Sequence, residues 1–184
     1  MKRVSVIALM LCLLFVAGAA NAQLPYIMVY YDDFYTIGNK DCPSGTPGTT
    51  IDSVYVVAQQ INRWFSAVEY SITYPPQMTY LSEVVNGGLS IGNTSTGIAQ
   101  TWTFPLNGFQ PAMINKVYFL WNCDGCTSTN RFIIVGQHPG TGYIRGVEFG
   151  SNDLFNIVGM TSVVCGTTPV EDTTWGNIKA LYEQ

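Results

Sequence analysis

The sequence predicts an all-β protein: an antiparallel β-sandwich of the jelly-roll or immunoglobulin-like kind, with about nine strands and a short C-terminal helix. Three observations predict it. Short segments of alternating polarity recur along the chain with turn residues between them. A helical period is absent from all but the two ends. Polarity is carried by Thr, Ser, Asn and Gln, since charged residues make up only 11% of the chain, against roughly 25% in a typical soluble domain.

The first element is a leader. Lys2 and Arg3 precede an apolar run over residues 4–17, which small residues and the "ANA" of Ala20–Ala22 follow. That order is expected of a secretory signal peptide cleaved before Gln23. The run is too short for a good membrane anchor, and Cys12, inside it after Leu11, lacks a lipoprotein context. The expected location is therefore secreted, with periplasmic or cell-surface retention compatible. The organisation that follows is a signal peptide at 1–22, a β-sandwich domain at 23–168 and a tail at 169–184. The net charge of −4 becomes −6 once Lys2 and Arg3 are removed. An acidic chain of this kind is a poor match for nucleic acid or an anionic membrane surface.

Strands are expected at residues 26–31, 51–58, 65–74, 78–85, 97–104, 113–121, 131–137, 143–149 and 154–165. The turns between them include "CPSGTPG", "QQINR" and a Pro-Pro step. Such a series without intervening helices favours a sandwich; a closed barrel is the alternative. Parity assigns faces. In "FSAVEYSITY", Val68, Tyr70, Ile72 and Tyr74 should face the core, leaving Glu69 on the other face. In "MINKVYFLW" both parities are largely apolar, so this strand should be central and covered on both sides. No internal repeat or low-complexity linker divides the chain.

Four cysteines follow the leader: Cys42, Cys123, Cys126 and Cys165. In an oxidising compartment an even number reads as two disulfides, with three pairings available. Cys123 and Cys126 flank Asp124-Gly125, a tight-turn dipeptide, which favours a local bridge and leaves Cys42 with Cys165. A redox C-x-x-C would open a helix, and the following "TSTNRFIIV" does not read as one. A four-cysteine zinc site usually takes two such knuckles, and Cys42 and Cys165 stand alone.

The run "TIDSVYVVAQQINRWFSAVEYSITYPPQMTYLSEVV" and the later "GIAQTWTFPLNGFQPAMINKVYFL" resemble the two halves of a cohesin-type domain, covering roughly residues 50–150. Tyr74-Pro75-Pro76 stands where that family has an acidic corner, and the C-x-x-C is foreign to it. The resemblance implies a jelly-roll sandwich of the cohesin and carbohydrate-binding-module type.

Two function classes follow. The first is a non-catalytic binding or surface-assembly module for a glycan or a secreted protein. Its candidate contact residues are Trp64, Trp102 and Tyr35, since exposed aromatic faces stack well on sugars; Trp64, beside Asn62 and Arg63 in a turn, is the best placed for exposure. The second is a small jelly-roll glycosidase using Glu69 and Glu148, the strand-borne glutamates with aromatic neighbours; "VEY" is similar to the nucleophile strand of small secreted xylanases. No cofactor is expected, although Asp32, Asp33 and Asp41 crowd the first loop and could hold calcium through hard oxygen ligands. His138 is the single histidine and has no nucleophile partner in view. Asn93-Thr94-Ser95 is a formal glycosylation sequon. In the tail, Trp175, Ile178, Leu181 and Tyr182 fall on one helical face and would dock on the sandwich or on a partner. Thr168-Pro169-Val170-Glu171 offers the capping box.

The cysteine reading predicts that mature protein contains no free thiol and that peptide mapping recovers Cys123–Cys126 and Cys42–Cys165 links. Stoichiometric zinc in protein purified without reductant would contradict it.

Overall fold

The computed structural model describes residues 24–40, 48–123 and 131–164, and among these the chain is all strand, turn and loop with no helix. The leader, the tail with Trp175, Ile178, Leu181 and Tyr182, and Cys42, Cys126 and Cys165 lie outside the described residues. The expected disulfides therefore do as well.

Thirteen strands are described: β1 (Tyr26–Tyr30), β2 (Asn39–Lys40), β3 (Gly48–Gln59), β4 (Trp64–Thr73), β5 (Met78–Val85), β6 (Leu89–Asn93), β7 (Gly97–Asn107), β8 (Ala112–Cys123), β9 (Arg131–Gly136), β10 (Arg145–Glu148), β11 (Leu154–Asn156), β12 (Val158–Gly159) and β13 (Thr161–Val164). They form two sheets. The smaller runs β12-β1-β3-β8-β5, and the larger runs β11-β10-β4-β9-β13-β2, with β7 and then β6 added on the opposite edge of β4. Pairing is antiparallel except for β1 with β12 and β13 with β2. The expected sandwich is the observed one.

The inner faces follow from parity. Val68, Tyr70 and Ile72 of β4 oppose Val54 and Val56 of β3 and Val117, Phe119 and Trp121 of β8, all in one buried core. Buried aromatic and β-branched side chains on two facing sheets are the main stabilising term for such a fold. Strand β8 is central, between β3 and β5, but only one of its faces is covered: Tyr118 and Leu120 are half-buried on the outside. Apolarity on its second parity therefore reflects an aromatic outer surface rather than a third layer.

Two further differences have local causes. The single strand expected at 154–165 is three. β11 pairs with β10 in the larger sheet, β12 with β1 in the smaller, and β13 with β9 in the larger again. The crossing is tight at Gly159, where a Cβ would collide with the Val135 carbonyl. Strand β6 is absent from the expected series, because its Leu89 and Ile91 lie outside the core and glycines stand before it and within it, at Gly88 and Gly92.

Glu83 joins the two sheets at the β6–β7 turn. It projects from β5, and its carboxylate accepts a hydrogen bond from the backbone N–H of buried Thr94 (3.1 Å). The Thr94 hydroxyl meets the Tyr74 hydroxyl at 2.9 Å, and the Thr94 carbonyl accepts from the Ile72 N–H. Desolvation raises the Glu83 pKa, and the hydrogen bonds from Thr94 offset this only in part. A carboxyl whose pKa is higher folded than unfolded contributes most stability below its unfolded pKa, about 4.3, and loses that contribution as pH rises through the folded value. Glu83→Gln, which has no charge to bury, is thus expected to gain thermal stability relative to wild type between pH 4 and pH 7. Melting curves at the two pH values check this; a relative loss at pH 7 would contradict it.

Candidate functional site

The outer face of the larger sheet carries the candidate site. On β4 the outward residues are Ala67, Glu69, Ser71 and Thr73, as alternation with the buried set requires. Register carries this face across five strands. One row reads Leu89 (β6), Thr101 (β7), Ala67 (β4), Val147 (β10) and Leu154 (β11). The next reads Ile91, Ala99, Glu69, Arg145 and Asn156. Small side chains in the middle and large ones at the margins make a trough. Its floor is Ala67, Ala99 and Thr101, and one wall is Leu89 and Ile91, which are 75% and 81% exposed. Val147 and Leu154 form the other wall. The part beside β6 encloses about 500 Å³ and the part beside β10 about 160 Å³.

One end of the trough is polar. Glu69 accepts hydrogen bonds from Arg145 Nε (2.5 Å) and Thr141 Oγ1 (2.9 Å). Arg145 also lies over the Tyr143 ring, 5.1 Å from its centre. Thr141 and Tyr143 belong to the 137–143 loop, which Ser71 Oγ ties down by donating to the Gln137 carbonyl (2.8 Å). His138 accepts the Gly140 N–H on Nδ1 and pairs with Tyr143, so it shapes this loop. The loop packs directly on the start of β7. A Cβ at Gly97, whose φ is 106°, would meet Pro139 and His138. Only glycine tolerates both the conformation and the approach.

The structure distributes the sequence candidates unevenly. Trp64 begins β4 and is 47% exposed, at the end of the same sheet away from Glu69. Trp102 corrects an expectation: it points inward with Ile98 and Gln100, is 5% exposed and stands edge-on to Phe65. Its Nε1–H donates to the Asn86 carbonyl at 2.7 Å. It is a core residue with no face for a ligand. Tyr35 lies in the loop after β1, on the opposite sheet, against Tyr30 and Tyr55.

The two glycosidase candidates, Glu69 and Glu148, are each held in an ion pair on the β4–β10 part of the sheet. Glu69 faces Arg145 and Glu148 faces Phe65 across the β4–β10 pairing. Their attachment points are thus four positions of β4 apart, about 13 Å at strand rise, with a bulge between Val147 and Glu148 interrupting the register. The ion-pair partner of Glu148 is Arg63, at 3.2 Å. Asp32 spends its carboxylate on the first loop, accepting from the Thr36 N–H, the Thr36 hydroxyl and the Ile37 N–H. Asp33 is exposed, and Asp41 lies outside the described residues. Among the described residues no three acidic, His or Cys side chains gather as a metal site.

Sequence reasoning misses Leu89, Ile91, Ala67, Ala99 and Arg145. The available signal is the alternation in "LSIGN" between glycines, which marks a strand.

No family model matches the chain, and no curated protein matches it in sequence. Solved structures do. A non-cellulosomal cohesin from the hyperthermophilic archaeon Archaeoglobus fulgidus is 7% identical with a TM-score of 0.52, over 82% of this chain and 98% of that one. A type II cohesin domain from the cellulosome of Acetivibrio cellulolyticus is 10% identical with a TM-score of 0.51, over 78% and 96%. A chain of a complex between CaCohA2 and a variant of CaDoc0917 is 14% identical with a TM-score of 0.51, over 76% and 97%. The protein has a cohesin-like fold.

The two tryptophans predict opposite behaviour. Trp102→Ala should cost about 3–5 kcal/mol of stability as a core truncation, and Trp64→Ala within about 0.5 kcal/mol as a surface change. Denaturant titration of each variant checks the contrast.

Proposed function

We propose that this protein is a non-catalytic binding module, secreted or held at the cell surface, that takes a partner protein in the trough of its larger sheet. The observation that carries this reading is the pair Leu89 and Ile91, exposed and apolar beside a small-residue floor. Exposed apolar surface of this kind, with polar groups at its margin, is what protein interfaces use. The dimensions suit a helix. From β6 to β10 is three strand spacings, about 14 Å, and an α-helix with its side chains is about 10–12 Å across. The Glu69–Arg145–Thr141 cluster, already paired within itself, gives that end of the trough a polar margin against which a partner's polar groups can register.

The similarity to a chain of the CaDoc0917 and CaCohA2 complex supports a protein as the partner, and the signal-peptide pattern of the leader supports export.

Ala99→Arg tests the reading, since it fills the floor without touching the core. Immobilised wild-type protein is expected to retain a protein from the producer's culture supernatant that Ala99→Arg does not. The affinity loss should be on the order of 100-fold, or about 2.7 kcal/mol, with an unchanged melting temperature. Equal retention by both proteins would place binding elsewhere.

A further inference from the structure

The outer face of the smaller sheet carries a second, chemically different surface. Register aligns Tyr30 (β1), Tyr55 (β3), Lys116 (β8) and Val84 (β5) in one row, with Tyr118 two residues beyond Lys116. The Lys116 ammonium lies 5.1 Å from the centre of the Tyr55 ring and 5.3 Å from that of Tyr118. Among the described residues it has no carboxylate partner, whereas Arg63 and Arg145 are each paired. Tyr35 stands over the row from the following loop, its ring 6.2 Å from Tyr30 and 6.3 Å from Tyr55. It does so with φ at 59°, a left-handed conformation that costs a non-glycine residue energy and concentrates at functional positions. Asp32 holds that loop through Thr36 and Ile37. At the far side, Tyr26 donates to Gln59 Oε1 (2.6 Å), and Gln59 Nε2 donates to the Tyr30 hydroxyl (2.8 Å).

We propose that this platform binds an acidic glycan, a uronic-acid-containing oligosaccharide stacked on Tyr55 and Tyr118 with a carboxylate on Lys116. The proposal is independent of the trough, which lies on the other sheet. Tyrosine rings offer apolar faces to the C–H side of a sugar and hydroxyls to its edge. Hydrogen bonding to Tyr55 is the largest cause raising the Lys116 pKa, so the ammonium stays charged. Tyr30, beside Tyr35, is 7% exposed and closes the β1 end of the row. Charge selects the acidic class. In a chain of net charge −4, with Asp32 and Asp33 close enough to act on Tyr30 and Tyr35 at the loop end of the row, an anionic group is admitted at the β8 end, where Lys116 has no carboxylate partner among the described residues. Lysine supplies a single compact point charge among the rings, enough for one carboxylate.

Calorimetric titration of the full chain with hexagalacturonate, cellohexaose and poly-glutamate tests this. Hexagalacturonate is expected to bind, more weakly as salt rises. Lys116→Met, which keeps the apolar stem, should weaken it at least about tenfold, and Tyr118→Ala should do the same. Ala99→Arg should leave it unchanged, so the trough reading and this one can fail separately. Cellohexaose should bind at least about tenfold more weakly than hexagalacturonate. Absence of hexagalacturonate binding, equal affinity for cellohexaose, insensitivity to Lys116→Met, or poly-glutamate binding as tightly through Lys116 would each overturn the proposal. The last would make the site a charge contact for acidic peptide.

Discussion

The trough depends on the alternation of β4 from Ala67 to Thr73. The strand pairs with β7 along one edge and with β10 and then β9 along the other. It therefore holds the larger sheet together from the middle. Its buried residues, Val68, Tyr70 and Ile72, commit one face to the core. The opposite residues, Ala67 and Glu69, must then lie outside, at the centre of the trough. A one-residue slip of register would exchange the two sets, putting Glu69 into the core and Tyr70 into solvent. The core thus enforces the position of the site, and the trough needs no packing of its own to be fixed.

The remaining edges explain why the site lies where it does. The outer face of the smaller sheet mixes Tyr55, Tyr118 and Lys116 with the exposed Ile51 and Val84. The larger sheet has an apolar margin at β6 instead. That strand pairs only with β7 among the described residues, and it contains no charged residue. Natural edge strands commonly carry lysine, proline or a bulge to discourage pairing; β6 carries none within its five residues. A surface left apolar and uncharged at an edge is consistent with one that a partner covers.

Much of the sandwich is legible in the sequence, because alternation and turn residues report local geometry directly. The strands containing Val68–Ile72 and Val117–Trp121 lie where the pattern puts them, and Glu69 points outward as parity requires. Two kinds of signal mislead. Alternation identifies two faces without saying which is inside: Trp102 shares its parity with Gln100, which reads as a surface residue. Gln100 is in fact buried and donates through Nε2 to Asn115 Oδ1 across the core, so both it and Trp102 are interior. Trp64 is exposed as expected, because the turn before it is a local feature. The second signal is apolarity. The inference that apolar residues are interior fails at Leu89 and Ile91, which stand on the outer face. The trough is invisible in the sequence for a further reason: Ala67, Ala99 and Arg145 meet only through register across three strands, and no local pattern encodes that.

The most direct measurement is hydrogen–deuterium exchange on the protein with and without the partner it retains. Slower exchange in β6, at Leu89–Asn93, and in the 137–143 loop is expected on binding, with β5 and β8 unchanged. Protection confined to β5 and β8, with β6 still exchanging as in the free protein, would contradict the trough as the partner's site.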